Sequence, residues 1–329
     1  MKKILSLVLS VLMIFALVSL AGCGKEKTLK LGFGVYSALS EVKNADGETN
    51  GEAEASTTVA AVLLDEDGKI VKCAIDTAAN KINFTSKGEA VAPAEMLTKE
   101  EKGDDYGMKA YGGAAKEWFE QKDDFISVII GKTIDEVKAM EKDGKGDETV
   151  TTAGCTITIT DFVLAVEKAV ANAADSNATA DDTLKVGVVS SQSDSKAATA
   201  DAKGLNEIST TAVAVALNSK NEVTAAKTDD VKTAVEFDTK GVSETEFGKE
   251  IATKRELGDN YGMKAYAGAT KEWFEQADAF DTNLIGKTAD GISALADNTG
   301  KAGDELVNAG CTINVNDMVK AAVKAATVK

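Results

Sequence analysis

The sequence YGMKAYGGAAKEWFEQ at positions 106–121 decides the fold, because it returns as YGMKAYAGATKEWFEQ at positions 261–276 with fourteen identities in sixteen positions. A second stretch, AGCTI at 153–157, returns unchanged at 309–313. The shifts are nearly equal, 155 residues (261 − 106) for the first stretch and 156 (309 − 153) for the second. Solenoid and propeller repeats have periods of roughly 20 to 50 residues. This longer spacing indicates a duplicated domain.

The duplication divides the chain into two modules. The first module is expected at 28–173 and opens with TLKLG, and the second is expected at 183–329 and opens with TLKVG. Each is long enough for a hydrophobic core of its own. The sequence NAADSNATADD at 172–182 is rich in Ala, Asp, Asn and Ser and has no apolar period, so residues 174–182 are predicted to be a linker.

The local patterns of the first module predict strands followed by helices. The predicted strands are 29–35, 57–64, 69–75 and 82–85. The Asp-Gly pair within residues 65–68 is typical of a hairpin turn, and residues 43–55 are expected to form a loop. A helical apolar stripe follows, made of Ala114, Trp118, Phe119, Phe125, Ile126, Ile129 and Ile130.

Turn and cap residues divide the helical part of the module. Gly131 is expected to end the helix that carries the stripe. Thr133 and Glu136 have the spacing of a capping box, and Thr160-Asp161 is predicted to be the N-cap and first turn of the last helix. The fold class is therefore α+β: two tandem copies of a small antiparallel sheet covered by helices, after an N-terminal lipoprotein signal.

The N-terminus has the features of an export signal. Lys2 and Lys3 precede an apolar run at 4–20, and LAGC at 20–23 closes it, which resembles the lipobox of bacterial lipoproteins. The resemblance implies a signal peptide at 1–22, lipidation of Cys23 by acyl chains such as palmitate, and a short lipidated tether at 23–27. The protein is then expected on the extracytoplasmic face of the cell membrane. A transmembrane anchor, which needs about 20 apolar residues, is the alternative.

Composition argues against several function classes. The net charge of −16 disfavours nucleic acid, whose binding depends on Lys and Arg. Histidine is absent, so a Ser-His-Asp or Cys-His hydrolase is not expected, and neither is a metal site. Cys73, Cys155 and Cys311 form no disulfide framework. No catalytic residue is predicted.

The AGCT stretch is the best candidate for a binding site. A run of small residues before a helix exposes a threonine hydroxyl where backbone N–H groups can receive a phosphate. The candidate residues here are Gly154, Cys155, Thr156, Gly310, Cys311 and Thr312.

The order of the elements resembles the FMN-binding domain of bacterial flavin lipoproteins. A hairpin with an Asp-Gly turn, a Tyr-x-Met-Lys segment, Gly-x-Thr-Ile and a last amphipathic helix carry this resemblance. In that family a Ser/Thr-Gly-Ala-Thr/Ser motif, preceded by an Asp, accepts FMN through a phosphoester bond made by a flavinyl transferase. Thr156 and Thr312 match its last hydroxyl residue. The motif's first residue is alanine here, its alanine is cysteine, and its Asp falls on Val150 and Leu306.

The resemblance implies that the duplicated aromatic segment contacts a flavin ring. The residues expected there are Tyr106, Met108, Tyr111, Tyr261, Met263 and Tyr266. Trp118 and Trp273 are better explained as core residues on the helical stripe. The leading interpretation is an electron-carrying surface lipoprotein with a membrane redox donor. Noncovalent flavin, or a cofactor-free structural or small-ligand-binding lipoprotein, is the alternative.

Overall fold

The computed structural model describes residues 27–327. It is α+β, as the sequence predicts, with 30% of residues in helices and 33% in strands. The predicted signal peptide, Cys23 and most of the tether lie outside the described residues, as do the last two residues. The strands are β1 (Lys30–Leu39), β2 (Gly51–Leu64), β3 (Ile70–Phe84), β4 (Ala90–Val91), β5 (Glu141–Lys142), β6 (Lys145–Gly146), β7 (Ala174–Asp175), β8 (Thr183–Lys196), β9 (Gly204–Leu217) and β10 (Val223–Phe237). The helices are α1 (Lys99–Lys102), α2 (Trp118–Ile129), α3 (Ile134–Ala139), α4 (Glu148–Ala153), α5 (Thr160–Ala171), α6 (Lys254–Leu257), α7 (Met263–Ala267), α8 (Trp273–Leu284), α9 (Ala289–Ser293), α10 (Asp304–Ala309) and α11 (Asn316–Ala326), with 3-10 helices at Gly103–Tyr106 and Gly258–Tyr261.

Each module is built on three long antiparallel strands in sequential order. The first sheet has the order β4-β3-β2-β1-β7, and the second has the order β10-β9-β8. In the first sheet Val35 lies opposite Val59, and Val62 lies opposite Cys73. The short hairpin of β5 and β6 forms a separate two-stranded sheet before α4.

Both faces of each sheet are covered. Successive residues of a strand point to opposite faces, and β2 shows this within residues 59–64. Val62 and Leu64 pack against the helices of their own module, whereas Val59 and Leu63 face the second sheet. All residues of β2 from 57 to 64 are buried for this reason.

The two sheets pack face to face, which makes four layers: helices, sheet, sheet, helices. Their shared core combines Phe33 and Val35 of β1 with Val188 of β8 and Ala214 of β9. At one end of the interface Phe84 and Phe237 stack with ring centroids 4.8 Å apart and planes 4° apart. The modules therefore share one hydrophobic layer.

The segment that connects the modules is packed against both of them, and the Thr224 hydroxyl of the second module donates a hydrogen bond to Asp182 (2.6 Å). β7 pairs with β1, Ala178 is fully buried, and Asp182 is nearly so. The Leu29 N–H donates a hydrogen bond to the Ala178 carbonyl (2.8 Å). The segment predicted as a linker thus joins the first sheet over its first residues.

Several local predictions were wrong in extent. Residues 51–55 belong to β2, because Ala53 and Ala55 alternate with outward Glu52 and Glu54. Residues 82–84 continue β3 and do not form a strand of their own. The N-cap of α5 is Ile159, so Thr160 is its first helical residue. The capping box of Thr133 and Glu136 is confirmed at α3.

Candidate functional site

A buried glutamate holds the Tyr-Gly-Met segment in each module. In the second module the Met263 and Lys264 N–H groups donate to the Glu272 carboxylate at 2.8 and 2.9 Å. Glu117 receives the same two bonds in the first module, at 2.8 and 2.9 Å. Both glutamates are almost fully buried. The turn is therefore fixed by the helix that follows it.

A buried glutamine connects that helix to the candidate threonine. The Thr312 N–H and hydroxyl donate to Gln276 Oε1 at 2.8 and 3.1 Å, and Gln276 Nε2 donates to the Lys271 carbonyl at 3.2 Å. Gln121 makes the same contacts with Thr156 in the first module. The amide thus ties the two duplicated stretches together.

The glycine of the AGCT stretch allows a lysine to approach. Gly310 caps α10 at φ 91°, and a Cβ placed there would lie 2.2 Å from Lys271 Nζ. Gly154 caps α4 at φ 121°, and a Cβ there would lie 2.3 Å from Lys116 Nζ. Both positions need glycine for their backbone conformation, and a Cβ there would displace the lysine from its place.

The second module has a cavity of about 530 Å³ at this place. Its walls combine both duplicated stretches. Tyr261 and Trp273 belong to the first stretch, and Ile313 belongs to the second. It is lined by Lys254, Tyr261, Gly262, Met263, Tyr266, Ala267, Trp273, Ile313 and Asn314. Three predicted residues thus meet in one cavity, beside Ile313, which directly follows Thr312.

A lysine lies over the aromatic wall in each module. Lys254 Nζ is 5.4 Å from the ring centroid of Tyr261 and 5.3 Å from that of Trp273, and it is paired with Asp230 at 2.8 Å. Lys99 lies 5.3 Å from the Tyr106 ring in the first module. The negative faces of aromatic rings attract such cations. In the second module Asp230 balances this charge, so the aromatic wall carries an ion pair.

The structure separates the predicted site residues by exposure. Thr156 and Thr312 are exposed. Tyr111 and Tyr266 are exposed at 91% and 89% of their surface. Their neighbours Tyr106, Met108, Tyr261 and Met263 are half-buried. Of the predicted site residues, each module therefore exposes one threonine and one tyrosine.

The two candidate cysteines lie in the cores. Cys155 and Cys311 are fully buried among apolar residues of their modules. Burial raises the pKa of each thiol to about 11, so both are neutral thiols at neutral pH. They are adjacent to the candidate threonines in sequence, but their side chains pack in the hydrophobic cores.

The predicted phosphate site on backbone N–H groups remains a prediction, and the structure leaves few free N–H groups beside Thr156. Thr156 follows the C-terminal end of α4, where carbonyl groups point outward, and α5 begins only at Thr160. The Thr156 N–H is already bonded to Gln121. Positive charge at this loop comes from lysine side chains.

Sequence reasoning missed Gln276 and Glu272, with their counterparts in the first module. Polar residues at the start of a helix usually face water, so the sequence of one module alone does not predict that these two residues are buried. Their identity in both copies of KEWFEQ was the available signal. Trp118 and Trp273 are buried, as expected for core residues, and Trp273 also lines the cavity.

Two further findings describe the surroundings of the site. Within residues 27–327, no helix is long and apolar enough to cross a membrane. The same part of the chain has no group of three or more Cys, Asp or Glu side chains placed to hold a metal ion.

Comparison with known proteins gives one partial similarity. No protein-family profile and no solved structure matches the chain. The chlorophenol reductase of Desulfitobacterium hafniense is 39% identical over 97 residues. That match covers 25% of this chain and 29% of the reductase, so the chain aligns with less than a third of the reductase's length. A match of this extent assigns no family.

Proposed function

We propose that the chain is a lipoprotein of the extracytoplasmic membrane face whose two modules bind FMN and carry electrons. The observation that supports this most is the cavity in the second module, where the duplicated aromatic segment meets the loop of Thr312. A membrane redox donor and a flavinyl transferase are the partners that such a carrier needs. Cys23 would hold it at the membrane through acyl chains.

The residues of the cavity fit a flavin in size and chemistry. Small-molecule sites have volumes of about 300–1,000 Å³ and combine apolar and aromatic walls with a few polar groups. The cavity of about 530 Å³ has Tyr261, Met263 and Trp273 in its wall. Those side chains suit a planar ring system, because aromatic rings and thioethers pack against such faces.

The polar groups near the cavity fit a phosphate. The Thr312 hydroxyl is exposed, and the Lys271 ammonium donates to the Ala309 carbonyl at 3.2 Å, three residues before Thr312. An ammonium group binds phosphate oxygens, and Thr312 Oγ1, whose proton is donated to Gln276, keeps lone pairs for a bond to phosphorus. FMN would supply reversible electron transfer when bound, and the protein would orient it and exclude water from one ring face.

Thr156 and Thr312 are the proposed points of covalent attachment. The threonine Oγ1 would bond to the phosphorus of the flavin, losing its proton. The P–O–P bond of a phosphoanhydride-activated flavin donor would break, and the donor's second phosphate would leave with the electron pair and take up the threonine proton, with the transferase as catalyst. The Gln276 amide holds the Thr312 hydroxyl in a fixed position before attachment.

Filling the cavity tests the proposal. Ile313→Trp is expected to abolish FMN binding to the second module, because the larger ring occupies the space of the ligand. Tyr266→Ala, at a position 89% exposed, should fold normally and weaken binding severalfold. The measurement is quenching of flavin fluorescence on titration with mature protein made without the transferase.

Val307→Trp is the matched control, because Val307 is also exposed on the second module but lies outside the cavity wall. It should bind FMN as the unchanged protein does. If the unchanged protein binds no flavin, the proposal fails and a cofactor-free surface lipoprotein is the better account. Equal binding by all four proteins would place any flavin elsewhere.

A further inference from the structure

The two candidate sites differ in the charge around one lysine. Lys116 Nζ lies 2.5 Å from Asp124 Oδ2 in the first module. Ala279 occupies the position of Asp124 in the second module. Among the described residues, Lys271 has no carboxylate within salt-bridge distance, and its ammonium donates only to the Ala309 carbonyl. The same lysine is neutralised in one module and uncompensated in the other.

Lys271 lies at the base of the Thr312 loop. Its Nζ is so near Gly310 that a Cβ there would lie 2.2 Å away. Its own backbone carbonyl accepts a bond from Gln276, whose other amide atom holds the Thr312 N–H and hydroxyl. The lysine and the threonine are therefore positioned by one buried side chain.

Other acids of the second module do not neutralise Lys271. The charge of Asp281 acts on the neighbouring Cys311, but this carboxylate is paired with Arg255 at 2.7 Å. Asp278 is paired with Arg255 and Lys227 at 2.8 and 2.7 Å. Glu275 is paired with Lys264 at 2.6 Å, and this bond lowers the pKa of Glu275 more than the charge of Lys271 does. The half-buried ammonium beside the exposed Thr312 hydroxyl therefore remains available to an anion.

We propose that the second module is the phosphate-selective site of the pair. Lys271 binds the phosphate monoester of the ligand there, next to Thr312. In the first module the Asp124 carboxylate forms an ion pair with Lys116 and repels a phosphate, so that site binds the same ligand more weakly. This inference rests on the proposed function, because it takes FMN as the phosphate-bearing ligand.

The test compares FMN with riboflavin, which has the same ring system and no phosphate. Both are titrated into mature full-length protein made without the transferase, and flavin fluorescence is measured. Lys271→Ala should weaken the tighter FMN site about tenfold, which is the effect of losing one hydrogen bond to a charged group. Riboflavin binding should be unchanged. Lys116→Ala is the matched control and should leave the tighter site intact.

Two charge exchanges give the converse test. Ala279→Asp places a carboxylate beside Lys271, as in the first module, and should weaken FMN binding at the tighter site. Asp124→Ala frees Lys116 and should strengthen the weaker site. Both changed residues lie on the equivalent helices α8 and α2, where each module already tolerates the other residue.

The outcomes separate this inference from the proposed function. FMN binding that neither Lys271→Ala nor Ala279→Asp weakens, relative to riboflavin, overturns the phosphate assignment and leaves flavin binding in place. Equal weakening of FMN and riboflavin also overturns it, because the change would then act on the ring site. No binding of either flavin by the unchanged protein overturns both.

Discussion

At the scale of single residues, the buried glutamines make the candidate loop rigid. Gln121 and Gln276 are 1% and 2% exposed, and each amide makes the same three bonds to groups from two separate stretches. Gln276 Nε2 also donates to the Met263 sulfur at 3.9 Å. Buried polar groups that lose a partner destabilise a protein by about 1–3 kcal/mol. A glutamine fits here because one side chain has both an acceptor and a donor.

Gln276→Leu is therefore expected to lower the free energy of unfolding by about 1–3 kcal/mol, because it leaves the Thr312 N–H and the Lys271 carbonyl without their partner. Urea denaturation at neutral pH measures the change. Thr312→Val is the control that removes only the hydroxyl bond, so its effect should be smaller. A leucine variant as stable as the unchanged protein would show that the amide does not hold the loop.

At the scale of elements, a buried aspartate attaches a short helix to each sheet. Asp76 on β3 accepts hydrogen bonds from the Thr77 N–H at 2.7 Å and from the Glu100 N–H of α1 at 3.3 Å. Burial raises the pKa of Asp76 from 3.8 to about 7, against bonds from Thr98 and Thr77 that lower it. Asp229 has the same role at α6, and burial raises its pKa to about 6.

This raised pKa makes stability depend on pH in a definite direction. The folded protein holds the Asp76 proton more strongly than the unfolded chain does, so its contribution is greatest below pH 4 and is lost as pH rises through about 7. Asp76→Asn should therefore flatten the decline in stability between about pH 5 and pH 8. Urea midpoints across that range measure it.

The exposed acid Asp105, next to α1, provides the matched control for this experiment. Asp105→Asn should leave the pH dependence as it is in the unchanged protein. An Asp76→Asn variant whose stability declines as steeply as that of the control would show that Asp76 does not carry the effect.

How much the sequence predicts depends on the range of the interaction. The Asp-Gly hairpin turn and the capping box at Thr133 are local, and both form as predicted. Strand β2 was predicted too short because its GEAEA start is polar, although its alternation has the period of a strand. The contact of Gln121 with Thr156 joins residues 35 apart in sequence, and no local pattern specifies it.

At the scale of the whole molecule, one feature of the sequence bears on the packing between the sheets, but it allows two interpretations. The continuous apolar run at 59–64 is typical of a strand covered on both faces, but short apolar runs also occur in buried helices. The structure covers one face with helices and the other with the second module. The duplication predicted two modules, but it did not specify that they share a core.

The shared core also positions the two candidate sites. They belong to the helical layers on opposite sides of two stacked sheets, and such sheets lie about 10 Å apart. Because Phe84 and Phe237 stack across the interface, the modules hold a fixed arrangement, so two bound flavins would keep a constant separation.

Covalent attachment of FMN to both modules is tested most directly by visible absorbance. The protein is co-expressed with a flavinyl transferase, extracted from membranes in its mature form, denatured and filtered, and its spectrum is then recorded. We expect the filtered protein to retain the flavin absorbance bands. Thr156→Ala or Thr312→Ala alone should reduce these bands, and the double change should abolish them. Thr158→Ala, an exposed threonine in the same loop, should retain them. Colourless protein, or flavin that stays attached after the double change, would contradict covalent attachment of FMN through Thr156 and Thr312.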